Sequence, residues 1–414
     1  MMRAGKVKKK PRRGSETEES LCCCEYINQK GERSHLAACL CDCEDVDEAC
    51  DRWISRKSSQ PEVWARALET ASDRFRVPWI RGARRIDVSI IPPLIVLPAA
   101  LHLAALHVLL AVVTLTSLPI FVIWYYHLTH RRKGKTLLFL SLALFSLGYM
   151  YYNFVQEVFI RGDIGWGHFI SITCGLLLTL LTLVKVKQDP GYLLKHAKDS
   201  GMKSEGGCEL ANGIQTVRDC DGFPQPQTDG DSLVAEKNWC KMCQLVRPPR
   251  SGHCMICGFC VRRLDHHCVW INNCIGSHNH RFFILLLLFF LFTSVYGITV
   301  TLNLLCRGRN AFVALLYCPG VYTEYSTAFN YTCVWYCAIV TAGMAYILLI
   351  QLINISYNVT EREARIALRN KTARRMFCGL VVDTGAYNQG FFQNWQNFLQ
   401  MDCSASADEL GAIV

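Results

Sequence analysis

Between Cys240 and Cys274 the chain reads CKMCQLVRPPRSGHCMICGFCVRRLDHHCVWINNC. Cys240, Cys243, His253 and Cys260 form a C-x2-C-x9-H-x6-C set, and the set recurs fourteen positions on as Cys254, Cys257, His267 and Cys274. Each set offers three thiolates and one imidazole, the complement of a closed tetrahedral zinc site. Two interleaved sites use those eight side chains and leave over His266 and Cys268. A thiol two residues from an unligated imidazole, on a backbone pinned by metal, is a candidate nucleophile with its base. The plainer alternative makes Cys268 a spare cysteine and His266 a surface histidine. Asp265 argues against it, because a carboxylate beside an imidazole can hold its tautomer and favour the imidazolium. Asp265-His266-His267-Cys268 then reads as orienter, base, zinc ligand and nucleophile.

The elements that must hold this segment are apolar. Hydrophobic residues make up 51% of the chain and gather into runs too long and too charge-poor for soluble helices. The run from Val88 to Tyr126 exceeds one crossing and splits into helices at about 88–106 and 109–127, turning near His107. Further spans are expected at about 136–156, 166–184, 282–304 and 331–353. Arg84 and Arg85 before the first hairpin, HRRKGK after it, Lys185, Lys187 and the basic tail put both termini and the cysteine-rich segment in the cytosol. Arg307 and Arg309 run against that bias, which is statistical. The loop they open is expected to be lumenal, and its Cys306 and Cys318 could pair. The organisation is a cytosolic region at 1–87, four helices in 88–187, a linker at 188–236, a zinc domain at 237–281, two helices in 282–353 and a cytosolic tail at 354–414.

A net charge of +10 favours anionic lipid surfaces and polyanionic ligands such as coenzyme A phosphates. Nucleic acid is not an expected partner, because the zinc segment lies between spans and lacks a recognition helix. The 23 cysteines come without a cleavable signal peptide and cluster at metal-ligand spacing, which points to a reducing cytosol. Residues 1–20 read as a basic disordered arm, without the glycine that N-myristoylation needs. Cys22, Cys23, Cys24, Cys39, Cys41, Cys43 and Cys50 are lipid-modified thiols, a further metal site with His35, or a plain reduced cysteine-rich stretch, and their spacing matches no zinc template. Residues 51–85 suggest one or two amphipathic helices, and 197–236 a flexible linker.

The tetrapeptide at 265–268, the upstream RPPRSGHC, the downstream CVWINNCIG, Asn279 and Phe282 resemble the DHHC family of protein S-acyltransferases. The resemblance runs from about residue 88 to 399. Asp189-Pro190-Gly191 is similar to the family's DPG motif. Asn358-Val359-Thr360-Glu361 stands where the family has TTxE, with Thr360 and Glu361 as the matching positions. YNQGFFQNWQNF resembles its carboxyl-terminal aromatic segment, with Asn394 as the buried hydrogen-bonding residue. The basic amino terminus, the CCCEY block and the hydrophobic carboxyl end narrow the resemblance to one member.

What the resemblance implies is a polytopic α-helical membrane protein, with six transmembrane helices and a cytosolic double-zinc cysteine-rich domain. It would carry palmitoyl from palmitoyl-CoA through a Cys268 acyl-enzyme to membrane-proximal cysteines of protein substrates, in the endoplasmic reticulum or Golgi membrane. The two zinc ions would be structural. Arg247, Arg250 and Trp270 are the residues expected at the acyl-CoA. Arg262 and Arg263 are further candidates for its phosphates, unless these arginines form a solvated basic face. Ile413 and Val414 end the chain as a hydrophobic carboxylate that could add to a PDZ-type groove. A zinc-containing scaffold or a membrane-anchored ubiquitin ligase is the rival class, but neither needs a free Cys–His pair, and a RING spaces its ligands differently.

Overall fold

The computed structural model describes residues 90–129, 135–160, 164–193, 238–375, 381–382 and 387–401, together with 24–27, 33–35 and scattered positions between 51 and 85. The chain divides into two compact units, residues 1–92 and 93–414. The arm at 1–20, the cysteines before residue 51 other than Cys24, the linker at 197–236 and the carboxyl end lie outside the described residues.

In the first unit β1 (Glu25–Ile27) pairs with β2 (Arg33–His35), and β3 (Arg76–Val77) with β4 (Arg84–Arg85), both antiparallel. The Arg76 guanidinium lies 4.0 Å from the centre of the Tyr26 ring, and the Ala83 N–H donates to Glu25 O at 2.7 Å. The helical expectation for 51–85 therefore fails at its end, where the chain is a hairpin. Pro78 and Gly82, the latter at φ +96°, break a helix there and favour a turn.

The second unit is built on apolar helices: α1 (Ile91–Ala104), α2 (Val108–Thr129), α3 (Leu138–Asn153, prolonged by a π-helical turn over Phe154–Phe159), α4 (Trp166–Val186), α5 (His280–Leu305), a short α6 (Ala311–Leu316) and α7 (Tyr325–Ser356). Five stretches, 108–127, 138–159, 166–186, 280–305 and 325–356, are long and apolar enough to cross a membrane. The chain is a multi-pass membrane protein. α1 is the exception to the expected set. Its 14 residues rise about 21 Å, short of a hydrocarbon core of roughly 30 Å. Pro92 and Pro93 lie in its first turn, where proline costs least, and Pro98 sits inside the helix. The turn falls where it was expected, and the His107 Nδ1 accepts the Leu109 N–H at 3.2 Å.

α4, α5 and α7 pack together. At Gly175 a Cβ would lie 2.2 Å from the Thr293 Oγ1, so α4 and α5 approach as closely as small residues allow. At one end of this bundle Cys306 and Cys318 form a disulfide that brackets α6. The pairing left open by the sequence is made. Tyr331 on α7 donates to Leu315 O at 2.6 Å and holds the same loop.

At the other end sits the cysteine-rich domain. Asp189 Oδ1 accepts the Gly191 and Tyr192 N–H groups at 2.9 Å each, and Gly191 at φ +100° turns the chain off α4. β5 (Tyr192–Leu193) then pairs with β9 (Phe259–Val261), which pairs with β8 (Gly252–Cys254). β6 (Trp239–Cys240) pairs with β7 (Leu245–Val246), and β10 (His266–Cys268) with β11 (Asn273–Ile275). The last carbonyls of a helix lack intrahelical donors. Here Asn273 and Asn279 supply them, their Nδ2 groups donating to Val186 O at 3.1 and 2.8 Å. The domain is thereby fastened to the end of α4 and the start of α5. α8 (Glu361–Arg369), the hairpin β12 (Arg374–Arg375) and β13 (Val381–Val382), and α9 (Phe391–Leu399) complete the fold.

Gly276 follows β11 where the chain crosses the DPG turn. A Cβ there would meet Pro190 O at 2.4 Å and Arg262 O at 2.9 Å, both backbone. Gly276→Ala is expected to cost roughly 1–3 kcal/mol through overpacking. The check is a lower thermal unfolding midpoint of the purified protein, against no loss for Gly167→Ala, where an added Cβ meets nothing within 4 Å.

Candidate active site

β10 decides the layout of the site. In a strand successive side chains point to opposite faces. His267 therefore points one way, and His266 and Cys268 the other. On its face the His267 Nδ1 lies 3.7, 3.4 and 3.7 Å from the sulfurs of Cys254, Cys257 and Cys274. In the upstream set the His253 Nδ1 lies 3.7, 3.2 and 3.8 Å from Cys240, Cys243 and Cys260. Zinc bonds of about 2.3 Å to sulfur and about 2.0–2.1 Å to nitrogen would set the S···N edge of a tetrahedron at about 3.5 Å. The sets predicted from spacing thus converge, and each can hold one metal ion.

On the other face Cys268 is buried in an apolar cluster with Val186, Ile271, Phe283, Ile284, Leu287 and Phe398. The thiol stands where the cysteine-rich domain meets the helix bundle. His266 lies between it and Asp265, with its Nδ1 donating to Asp265 Oδ2 at 2.7 Å. Its ring also meets Phe283 edge-on at 5.7 Å. Burial works against charging this imidazole, but hydrogen bonding and charge from Asp265 and Cys268 prevail and push its pKa up to about 10. The arrangement favours an imidazolium at His266, between Asp265 and Cys268.

Asp265 is fully buried. Burial opposes its ionisation, yet the His266 hydrogen bond, neighbouring imidazoles and the Glu361 N–H hold the carboxyl well below the usual carboxylate range. Its Oδ2 accepts from Gln351 Nε2 at 3.1 Å as well as from His266, and its Oδ1 accepts the Glu361 N–H at 2.8 Å.

The Glu361 N–H belongs to the start of α8, and there the structure shifts the expected motif match. Thr360 is the N-cap, its Oγ1 accepting the Glu363 N–H at 3.2 Å while Glu363 Oε2 accepts the Thr360 N–H at 2.8 Å. This reciprocal cap needs T-x-x-E spacing, so Thr360 and Glu363 are the pair, not Thr360 and Glu361. The spacing was present in the sequence as TERE. Glu361 instead brings a second carboxylate to the imidazole, its Oε2 lying 3.5 Å from His266 Nδ1. Its other oxygen binds Arg365.

The residues expected at an acyl-CoA are not all brought together. The Arg250 side chain is 4% exposed. Its Nε and Nη2 grip both Glu363 oxygens at 2.8 Å, and its Nη1 and Nη2 reach Asn358 Oδ1 and O at 2.9 Å. Its ring neighbour is Tyr387, at 4.4 Å. So occupied and buried, Arg250 clamps α8 to the cysteine-rich domain and is not placed to meet a phosphate. Arg263 is likewise engaged, by Asn358 Oδ1 at 2.7 Å. Arg247 is half-buried, with its Nε on Asn238 O, and shares its surroundings with Arg362 and Arg369. Trp270 is partly exposed and its ring lies 5.0 Å from Phe139 at the start of α3. Asn394 is where the resemblance put it: buried, with Nδ2 donating to Ser356 O at 2.8 Å and Oδ1 accepting the Gln389 N–H at 3.0 Å.

Residues 234–367 match the family described as DHHC palmitoyltransferase. The chain is 55% identical over 412 residues to palmitoyltransferase ZDHHC23 of Mus musculus, covering 95% of this chain and 96% of that one. The chain belongs to the DHHC palmitoyltransferase family. The Homo sapiens ZDHHC23 is 56% identical over 398 residues, covering 92% and 97% of the two chains. ZDHHC23-B of Danio rerio is 50% identical over 410 residues, covering 95% and 96%. These relatives match well outside the shared domain, in line with the narrowing suggested by the CCCEY block and the two ends of the chain.

The clamp yields a test. Arg250→Ala strands a partly buried Glu363 carboxylate, whose protonation is held down by Arg250 against its own burial. Loss of the partner should cost roughly 1–3 kcal/mol. Glu363→Gln in the same background should recover part of it. Thermal unfolding of the single and double variants measures both.

Proposed function

We propose that this chain is a membrane-embedded protein S-acyltransferase that moves a palmitoyl group from palmitoyl-CoA to cysteine thiols of proteins through an acyl-enzyme at Cys268. The class of reaction comes with the family, and the observation that carries the residue roles is the β10 alternation. His267 faces one metal set, while His266 and Cys268 face the apolar helix ends. Cys268 as thiolate attacks the thioester carbonyl, and the bond to the coenzyme A sulfur breaks. The imidazolium of His266, held by Asp265, gives its proton to the leaving thiolate. In the second half-reaction His266 takes the proton of the substrate cysteine, whose sulfur displaces Cys268 from the acyl carbon. The proton that leaves with coenzyme A in the first half-reaction is replaced from the substrate cysteine in the second, which restores the Cys268 thiolate and the His266 imidazolium.

The two metals are read as zinc. Cys240, Cys243, His253 and Cys260 would hold one, and Cys254, Cys257, His267 and Cys274 the other. Their full ligand sets leave no open position, so the ions serve the fold that carries β10. The acyl tail is read into the apolar surroundings of Cys268, with Trp270 beside the thioester. Arg247 is proposed for the coenzyme phosphates together with Arg362, whose guanidinium pKa is lowered by burial and by the charge of Arg247. Such crowded cations favour an anion between them. Arg250 is left out of that set, because Glu363 holds it.

The same reading puts both termini and the cysteine-rich domain in the cytosol, in the endoplasmic reticulum or Golgi membrane. Thiolate ligand sets at one end of the bundle and a disulfide at the other support it, since the two need opposite redox compartments. Protein substrates then present cytosolic cysteines near the membrane. The carboxyl-terminal Ile413-Val414 is proposed as a ligand for a PDZ-type groove, Val414 filling the pocket.

Purified, zinc-replete protein incubated with labelled palmitoyl-CoA should take up a label that neutral hydroxylamine removes. Cys268→Ser should lose it, because a serine hydroxyl stays protonated where a thiol ionises. A hydroxylamine-sensitive label that survives Cys268→Ser would place the acyl-enzyme elsewhere.

A further inference from the structure

Asp265 orients the candidate base, and its own hold on that geometry comes partly from inside the helix bundle. Gln351 interrupts the apolar run YILLIQLINIS of α7 and is 1% exposed. A carboxamide at such a place is costly unless both its ends are paired. Its Nε2 lies 3.1 Å from Asp265 Oδ2, and its Oε1 lies 2.7 Å from the Nε2 of His280, the first residue of α5. His280 is 4% exposed and meets the Phe398 ring of α9 edge-on at 5.1 Å.

The hydrogens along this chain can be assigned by elimination. An ionised carboxylate only accepts, so Gln351 must turn its NH2 toward Asp265. Its oxygen then faces His280, and His280 must carry a proton on Nε2 to donate. Donation runs one way, from His280 to Gln351 to Asp265, and ends on the oxygen that also receives the His266 Nδ1–H. With Gln351 inverted, two acceptors would confront one another at Asp265.

We infer that Gln351 and His280 are positioning residues for the acyl-transfer reaction: a buried amide–imidazole pair that fixes the Asp265 carboxylate and, through it, the orientation of His266. Neither touches the reacting sulfur, and both act through Asp265. The pair joins α5, α7 and the apolar face of α9 to the base, so the helix bundle itself sets the catalytic geometry. This inference rests on the reading of His266 as the base for Cys268.

The test uses the full-length, zinc-replete enzyme and single-turnover acylation by labelled palmitoyl-CoA. Gln351→Met keeps length and apolar contact but removes the amide. The maximal rate should fall about tenfold to a hundredfold, in keeping with loss of a hydrogen bond to a charged group. The half-saturating palmitoyl-CoA concentration and the zinc content should not change. His280→Phe retains a ring against Phe398 and removes the donor to Gln351, so it should lower the rate less but in the same manner. In an Asp265→Asn background Gln351→Met should change the rate by no more than about twofold, since partners in one network are not additive. An equal loss in both backgrounds would overturn the proposal, as would a change confined to half-saturation. If Gln351→Met fails to retain zinc, His280→Phe decides alone, and a full rate from it removes the inference. Labelling that persists in Cys268→Ser would instead refute the underlying assignment of the nucleophile.

Discussion

A carboxylate buried without any exposure must be surrounded by donors or it will not stay charged. Asp265 is that carboxylate, and its donors come from three separate parts of the chain. His266 is its neighbour at the start of β10, Gln351 belongs to the long helix α7, and the Glu361 N–H to the first turn of α8. The backbone repeats the pattern, with the Asp265 N–H on Ile275 O and the Arg362 N–H on Asp265 O. One charge thus brings the cysteine-rich domain, the helix bundle and the tail to a common point. The Thr360–Glu363 cap and the Arg250 clamp secure the third of these attachments.

Around that point the short strand β10 serves two functions at once. Its alternation commits His267 to the metal side and leaves His266 and Cys268 to the membrane side. A three-residue strand has little stability of its own, and the ligand sets before and after it supply the rigidity. The bundle supplies the apolar surroundings that suit a fatty thioester and bury the thiol. Asn273 and Asn279 keep the two in register by taking up the free carbonyl of Val186.

Much of this could be read in the sequence because it depends on local spacing. The duplicated ligand set, the leftover His266 and Cys268, the DPG turn and the apolar runs all have short-range signatures, and each is found in place. Contacts across long separations were not legible. Nothing local announces that Arg250 will be taken by Glu363, 113 residues away, rather than remain on a basic surface. Gln351 has no local signature beyond being a polar residue in an apolar run, and its partner Asp265 is 86 residues distant. The TTxE match went astray for a different reason. The cap physically requires a threonine and a glutamate three positions apart, and adjacency of Thr360 and Glu361 satisfies no such requirement. In the first unit, Pro78 and Gly82 are sufficient signs of a turn, and the arginines on either side of it, from Arg74 to Arg85, give the stretch the look of a basic helix.

The central claim is that adjacent histidines on β10 belong to different machines. Zinc per chain, measured beside acyl-enzyme formation in His266→Ala and His267→Ala, tests it most directly. His266→Ala should keep two zinc ions and lose acylation by about 10²–10⁴-fold, the usual worth of a general base. His267→Ala should lose zinc together with activity. Equal zinc loss in both variants, or an active His266→Ala enzyme, would contradict it.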